Sequence, residues 1–408
     1  MAGAAALMAL LAVPVHAQAP ETTQAASARW SVGGEFNMSF GSEDPGYFNY
    51  ADYEHSTLRF FIASLSASVR LSPKASVVAE ARSENGHPVR ASALFVRLRP
   101  WAGHAVDVQA GRIPPIFGRY ARRGYGADNP LIGWPLAYQY LVTLRPDAVP
   151  LSADSLLAIR GRGWRVVYPA VTSTPPPEYV PAAPDAGVPV VSSYQWDTGV
   201  QVHVGEGRLQ VAAAVTQGSL SNPLVEDDNG RKQVVGRLTW APRPAVSLGV
   251  SAASGAFLSD AATASLTDGG SARGEQRALG LDAEVSSGYW ILRGEVISSW
   301  WHLPALATPR LDEALRATSI SLEARYRLRP GLYIAARGEH LGFSSIQGTL
   351  FGGRPTTWDA PVSRIEAGVG YSLSRRLLLK FSGQYNERDA NRPRRVGRFV
   401  AAQLSFWF

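Results

Sequence analysis

Apolar and polar side chains alternate with a period of two through the last nine residues of the chain. Every second residue from Val400 to Phe408 is apolar, and Gln403 and Ser405 lie between them. This period predicts a β-strand with one apolar face. Such a strand ending on an aromatic residue would be a sticky edge in a soluble sheet, whereas a bilayer accepts the apolar face and holds the aromatic at its interface. The alternative is the closing strand of a soluble sandwich.

The same alternation recurs through the C-terminal half of the chain. In 319–328, for example, Ile320 and Leu322 share one face, whereas Glu323 and Arg325 share the other. Similar patterns cover 290–300, 332–341, 364–373 and 377–386. Ionised residues along one face, with aromatic residues at the strand ends, favour a barrel wall over a sandwich.

The predicted connections alternate between short and long, as in outer-membrane barrels. Short turns occur near residues 73, 101, 206, 243, 287, 330 and 375, and long polar links cover 41–56, 218–230, 255–274, 302–314 and 344–360. Aromatic residues lie beside the short turns, as an interfacial girdle requires: Trp101, Trp240, Trp290, Tyr326 and Tyr371. No run of eighteen apolar residues follows the N-terminus, so a membrane-embedded form of this chain must be a closed barrel.

The strand count is predicted to be sixteen, an even number as such barrels require. The earlier strands are 30–40, 57–71, 76–82, 91–99, 105–111, 196–204, 208–217, 232–241, 245–254 and 276–285, and six more follow residue 289. If 160–169 were another strand, the requirement for an even number of strands would demand one more within 174–195, for a total of eighteen. The fold class predicted is therefore an all-β transmembrane antiparallel barrel of about sixteen strands.

The N-terminus has the features of an export signal. An apolar core from Ala4 to Val15 is followed by Val15-His16-Ala17, a small-x-small cleavage site. We therefore expect a signal peptide at 1–17 and a barrel at 18–408, although the usual positive charge at the start is missing. The alternative is a buried alanine-rich helix.

Composition narrows the possible chemistry. The chain has no cysteine, which excludes disulfides and thiolate metal sites. Its net charge of +7 comes from arginine, with lysine only at 74, 232 and 380. These arginines fall singly on alternating positions opposite acids, which argues against a nucleic-acid patch. The seven histidines have no metal-binding spacing, so neither a metal site nor a cofactor is expected.

The regular succession of predicted strands and turns is interrupted at residues 112–195. The segment around Phe117 and Trp134 is rich in aromatic residues and proline, so we expect it to fold into the lumen and narrow the pore. Between Arg112 and Arg165 there are eight arginines and three acids, a balance of +5. Guanidinium groups in a confined channel favour anions. The Pro-rich tract Pro175–Pro189 is expected to be an external loop.

The predicted solute-facing residues come from this segment and from the wall. They are Arg112, Arg119, Arg122, Arg123, Arg162 and Arg165 from the segment, with Arg97, Arg325, Arg337 and Lys380 from the wall. The alternative is that the arginines pair with wall acids such as Glu80, Asp107, Glu323 and Glu339 and hold the loop in place.

The chain resembles a Gram-negative outer-membrane porin in its export signal, its alternating strands and its terminal Phe408. Gly111-Arg112-Ile113-Pro114 before an inward loop is similar to the anion- or phosphate-selective porins, although those are lysine-rich in the channel. The resemblance implies passive uptake of small hydrophilic solutes, no enzymatic activity, contact with outer-membrane lipid and lipopolysaccharide, a homotrimer, and assembly through recognition of the C-terminal strand by the barrel-assembly machinery.

Two other functions are compatible with the pattern. A barrel enzyme acting on lipid would need a lipid-facing histidine and serine, for which His203 and His340 are the histidine candidates; a closed structural barrel would need neither. An energised importer would need a globular plug before the first strand, and the strands are predicted to begin about a dozen residues after the cleavage site.

Overall fold

The protein is a closed antiparallel β-barrel of sixteen strands in the computed structural model. The structure describes residues 29–408 except 51–55, 60, 86, 102, 121–123, 168–185, 194–195, 265–273, 304–307, 312 and 391–393. The predicted signal peptide at 1–17 and most of the Pro-rich tract lie outside the described residues.

The strands follow one another around the wall in chain order. The barrel strands are β1 (Trp30–Gly41), β2 (Phe61–Ser72), β3 (Ala75–Glu84), β4 (Arg90–Leu98), β5 (Val106–Ile113), β6 (Asp197–Val204), β7 (Leu209–Thr216), β8 (Gln233–Arg243), β9 (Val246–Ala256), β10 (Glu275–Ser287), β11 (Trp290–His302), β12 (Leu315–Arg329), β13 (Leu332–Phe343), β16 (Val362–Ser374), β17 (Leu377–Arg388) and β18 (Val396–Trp407). A separate hairpin, β14 (Ser345–Ile346) with β15 (Thr356–Thr357), lies in the β13–β16 connection.

Helical structure is confined to the connections. It comprises α1 (Leu136–Gln139), α2 (Ala153–Ile159), α3 (Asp260–Ala264) and 3-10 turns at Thr57–Arg59 and Leu350–Gly353. None of the helices in the described part of the chain is long and apolar enough to cross a membrane.

The first and last strands pair and close the barrel. Phe36 of β1 lies opposite Phe406 of β18. Beyond the register, the Gly34 N–H donates to the Phe408 carbonyl at 3.2 Å, and the Phe408 N–H donates back to Gly34 at 3.1 Å. Closure leaves no strand edge with unpaired backbone groups, which is the condition for crossing a bilayer with strands. The predicted barrel is therefore confirmed.

The count of sixteen is also confirmed, and the alternative of eighteen is wrong. Residues 160–167 follow α2 as turns, with the Arg165 N–H donating to the Arg162 carbonyl at 2.8 Å, and they join no strand. Short turns at one end of the barrel alternate with long connections at the other, as the sequence predicts.

The alternation of side chains separates an apolar outer face from an inner face of mixed character. On the outer face Leu322, Ile365 and Val400 are 65%, 63% and 68% exposed, whereas the neighbouring Glu323 and Arg364 point inward and are buried. Exposed apolar side chains over the height of the wall are typical of a lipid-facing surface.

Inside the barrel, apolar side chains from the connections form a packed core. Its large members from the connections, all 5% exposed or less, include Phe48, Phe117, Tyr120, Trp134, Leu136, Tyr138, Tyr140, Phe257 and Trp358, and the wall adds Trp301 of β11. Because connections supply most of this core, the wall itself does not fill the interior.

A charge in the middle of the outer face should impair membrane insertion. Leu322 is the central residue of β12, so Leu322→Arg should destabilise the folded barrel in lipid vesicles by about 2–4 kcal/mol, the cost of arginine near the bilayer midplane. Leu328→Arg, near the end of the same strand, is the control and should cost about 1 kcal/mol or less. Urea unfolding in vesicles measures both, and equal costs would contradict a lipid-facing wall.

Candidate functional site

The connection between β5 and β6 folds into the barrel, as predicted. We refer to residues 114–167 as the inner loop. Its Phe117, Leu136 and Tyr138 side chains are at most 1% exposed, whereas connections usually run over a protein surface. Helix α2 begins at a capping box, in which the Ser152 hydroxyl accepts from the Ser155 N–H at 3.3 Å.

Small residues on the inner face of the wall make room for the inner loop. Ala212, Ala253 and Ala278 point inward and pack in the same core as Phe117. At Gly280 a Cβ atom would lie 3.1 Å from the Phe117 ring, closer than ordinary contact. Larger side chains on this part of the wall would therefore displace the loop into the channel.

Wall carboxylates accept hydrogen bonds from backbone N–H groups of the inner loop. The Gly133 N–H donates to Glu366 at 2.9 Å, and the Leu136 N–H donates to Glu339 at 2.9 Å. Glu295 accepts from the Arg119 N–H at 2.8 Å. Glu35 accepts from the N–H of Gly126 at 2.6 Å. Hydrogen bonds to ionised acceptors are stronger than neutral ones, so these acids fix the path of the loop.

Wall cations donate to the loop carbonyls in the same way. Lys380 Nζ lies 2.8, 3.0 and 3.1 Å from the carbonyl oxygens of Gly126, Asn129 and Leu131. Arg364 donates to the Trp134 carbonyl at 3.0 Å, and Arg337 donates to the Gly133 carbonyl at 2.7 Å. In the described part of the loop, side chains of the wall therefore bind both backbone N–H groups and backbone carbonyls.

Ion pairs link these groups across neighbouring strands. Arg119 of the loop pairs with Glu284 at 2.9 Å, which pairs with Arg293 at 2.6 Å. Arg293 continues to Glu323 at 2.8 Å, and Glu323 lies 3.4 Å from Arg337. We call this the charge chain; it runs from the inner loop through β10, β11, β12 and β13. Arg337 also pairs with Glu366 of β16 at 2.9 Å and Glu339 at 3.1 Å.

Three tyrosines of the inner loop stay protonated, and two of them donate to carboxylates of the wall. Burial raises the pKa of Tyr138 well above its usual value, and its hydroxyl donates to Glu295 at 2.9 Å. Burial likewise raises the pKa of Tyr125, which donates to Glu80 at 2.6 Å, and raises the pKa of Tyr140 to about 12. These three phenols remain neutral throughout the physiological range of pH.

Three of the predicted solute-facing residues keep part of their side chains exposed inside the barrel. Arg119 is 26% exposed at the end of the charge chain. Arg97 points inward from β4, is 35% exposed and pairs with Asp107. Arg325 points inward from β12 and lies 4.1 Å over the ring of Tyr333.

The other predicted residues occupy different places. Arg337 and Lys380 point inward, but the inner loop covers both. Arg112 shares a face of the wall with Leu94, which is 55% exposed, so it lies on the outer face and does not line the lumen. Arg162 and Arg165 are exposed in the turns after α2, beyond the buried part of the loop. Arg122 and Arg123 lie outside the described residues.

Other lumen-facing charges were not among the predicted residues. Arg70, Arg82 and Arg293 point inward and are partly exposed, as is Glu284. The period-two pattern places Arg293 on the inner face and could have identified it. By contrast, its contact with Glu284 depends on the register between β10 and β11, which the sequence does not specify.

Changing Lys380 should loosen the inner loop. Lys380→Met leaves three buried carbonyls without their donor, and each such loss costs about 1–3 kcal/mol, so the free energy of unfolding should fall by about 3 kcal/mol or more. Hydrogen exchange should accelerate at residues 124–132. Lys232→Met, at an exposed lysine paired with Asp227, is the control and should change stability by less than about 0.5 kcal/mol. Unchanged exchange in Lys380→Met would show that Lys380 does not hold the loop.

Within the described residues, no cluster of three or more histidine, cysteine or acidic side chains could hold a metal ion. No family model matches the sequence, and no curated protein matches it.

Solved structures share the fold. The anion-selective porin of Comamonas acidovorans matches with a TM-score of 0.54 at 10% identity, covering 93% of this chain and 99% of that one. OmpF of Salmonella typhi, in complex with daunomycin, matches with a TM-score of 0.54 at 12% identity, covering 93% of this chain and 97% of OmpF. OmpT of Vibrio cholerae with loop L8 deleted, an outer membrane protein, matches with a TM-score of 0.53 at 9% identity, covering 93% of this chain and 99% of that one. The chain therefore has the sixteen-stranded barrel fold of Gram-negative outer-membrane proteins, and its structural neighbours include porins.

Proposed function

We propose that this protein is an outer-membrane channel through which small hydrophilic solutes diffuse passively, with a preference for anions. The porin fold of its structural neighbours supports the channel. The observation that carries the anion preference is the excess of arginine among the partly exposed charges inside the barrel. Among the partly exposed charged side chains that the structure describes on the inner face and in the inner loop up to Tyr140 are seven arginines and five acids: Arg70, Arg82, Arg97, Arg119, Arg293, Arg325 and Arg327, against Asp107, Asp128, Asp197, Glu284 and Glu295.

Solute selection in such a channel depends on width and charge and involves no reaction. The inner loop supplies the narrowing, because its apolar core fills part of the interior. Arg119 stands where the charge chain meets the water-accessible part of the lumen, with its backbone fixed on Glu295. A guanidinium group there would attract carboxylates and phosphates as they pass. The structural neighbour from Comamonas acidovorans is an anion-selective porin, which agrees with this assignment.

We also infer assembly and partners from the fold. OmpT of Vibrio cholerae, whose trimer form matches with a TM-score of 0.52, supports a homotrimer for this chain. Outer-membrane lipid and lipopolysaccharide would surround the apolar face, and the barrel-assembly machinery would recognise the C-terminal strand that ends at Phe408.

Planar-bilayer recordings test the channel and its selectivity. The purified protein should produce stepwise ion conductance, and its reversal potential in a KCl gradient should indicate chloride preference. Arg119→Ala should shift this potential toward cations while changing stability by about 1 kcal/mol or less, because Glu284 keeps its pair with Arg293.

Arg162→Ala is the matched control, since Arg162 is exposed beyond the loop core, and it should leave the reversal potential unchanged. A silent bilayer would refute the channel. A cation-directed potential in the unchanged protein would refute only the anion preference.

A second candidate function is an esterase acting on outer-leaflet lipid. His340 Nδ1 lies 2.9 Å from the Ser363 hydroxyl, and both are exposed on the outer face. A serine nucleophile needs a histidine that is itself oriented by a third group, usually an acid. Here the strand neighbour of Ser363 on its other side is Glu387, whereas that of His340 is Ile320. The acid therefore lies beside the serine and not beside the histidine.

Lipid hydrolysis separates this candidate from the channel. The purified barrel should not release fatty acid from phospholipid vesicles, and Ser363→Ala should leave conductance unchanged. Release of fatty acid that Ser363→Ala abolishes, while the control substitution Ser372→Ala does not, would favour the esterase. Ser372 lies on the inner face near the other end of the same strand.

A further inference from the structure

A cluster of charged and aromatic side chains lies on the outer face where β10, β11 and β12 end at the long connections. Trp300 of β11 is the direct strand neighbour of Arg277 on β10 and of Arg316 on β12. Residues paired in this way point to the same side of the sheet, so the indole is flanked by two arginines. We call Arg277, Trp300 and Arg316 the rim cluster.

The rim cluster borders the apolar band of the wall. One step along the same strands lie Leu279, which is 54% exposed, and the hydroxyls of Ser298 and Thr318, which are 3.1 Å apart. The next step contains Leu281 and Ile320, which are 58% and 44% exposed. An indole at the border between apolar and polar surface is typical of a membrane interface. The arginines therefore lie at the depth of lipid headgroups, on the side of the barrel that carries the long loops.

The charges around the rim cluster leave it positive. Glu275 pairs with Arg277 at 2.9 Å, and its other oxygen accepts from the Ser254 hydroxyl at 2.5 Å. A guanidinium has five N–H donors, so this pair leaves most of those on Arg277 available. Arg316 is exposed, and its backbone is fixed: its N–H donates to Ser344 at 3.0 Å, and its carbonyl accepts from the Trp358 indole at 2.9 Å.

We propose that the rim cluster binds a phosphate group of an outer-leaflet lipid, with the two guanidinium groups on the phosphate and Trp300 against the start of the acyl chains. The two arginines lie on either side of β11, two strand spacings or about 10 Å apart. Their long side chains can converge on one phosphate, whose oxygens each guanidinium can contact through paired donors. The exposed leucines and isoleucine that follow would contact the acyl chains. Lipid A, the phosphorylated glycolipid of lipopolysaccharide, has this combination of phosphate and acyl chains at the outer surface.

Native mass spectrometry of the detergent-solubilised protein tests this site. The wild-type barrel should retain bisphosphorylated lipid A in preference to phosphatidylcholine. Arg277→Gln combined with Arg316→Gln should weaken lipid A binding by about tenfold or more, the effect of losing one or two charge-assisted hydrogen bonds. The matched control is Arg243→Gln combined with Arg329→Gln. It removes two exposed arginines at the last residues of β8 and β12, at the end of the barrel away from the rim cluster, and this variant should retain lipid A.

Three results would overturn the proposal. The first is equal binding of lipid A by the rim-cluster double variant and the control double variant. The second is equal retention of phosphatidylcholine and lipid A by the wild type. The third is displacement of lipid A by inorganic phosphate at low concentration. The last would indicate a site for free phosphate. Because all four arginines are exposed, circular dichroism and urea unfolding should show that both variants fold like the wild type. Conductance is measured separately, so failure here is distinct from failure of the channel.

Discussion

The structure depends on how a long chain segment can be enclosed in a barrel without leaving its backbone groups unpaired. A buried N–H or carbonyl without a partner costs about 1–3 kcal/mol, and the inner loop has little regular secondary structure to pair its own groups. Acidic and basic side chains of the wall take that role: glutamates accept from the loop N–H groups, and Lys380, Arg337 and Arg364 donate to its carbonyls. Buried charges are expensive unless paired, so wall and loop stabilise each other.

This mutual pairing means that many charges of the inner face are covered by the inner loop, and only some remain exposed inside the barrel. Lys380 donates to three loop carbonyls, and Arg337 is shared between the Gly133 carbonyl and glutamates of the wall. Arg237 is buried and lies 2.7 Å from Asp282. The arginines that remain partly exposed, such as Arg97 and Arg119, lie at the margins of the packed interior. The arginines that hold the loop therefore differ from those that we propose to attract anions, and the charge chain connects Arg119 with Arg337.

The apolar outer face results from the same alternation of side chains along each strand. Each strand that sends a charge into the lumen presents its next residue to lipid, which is why Leu322 follows Ser321 and precedes Glu323. Near the strand ends this surface becomes polar, and there Trp300 and its two flanking arginines combine the aromatic residue of a girdle with positive charge. The proposed solute path and the lipid-facing surface thus lie on opposite faces of the same strands.

The sequence by itself determined the barrel, its sixteen strands and the inward course of the inner loop. These follow from local rules: a period of two along each strand, alternating lengths of connection, and an apolar segment too large to remain outside. Small inward residues such as Ala253 and Gly280 were a further signal that this part of the wall faces something bulky.

Only the tertiary structure decided which charges meet. The pairs of the charge chain join residues brought together by strand register, and strand period alone does not specify register. The prediction for Arg112 was wrong because the strand was expected to end at residue 111, which placed Arg112 in the inward loop. β5 instead continues to Ile113, and the period of two then turns the Arg112 side chain outward. Whether an inward arginine faces water or a carbonyl depends on where the inner loop packs, and that is a property of the assembled barrel.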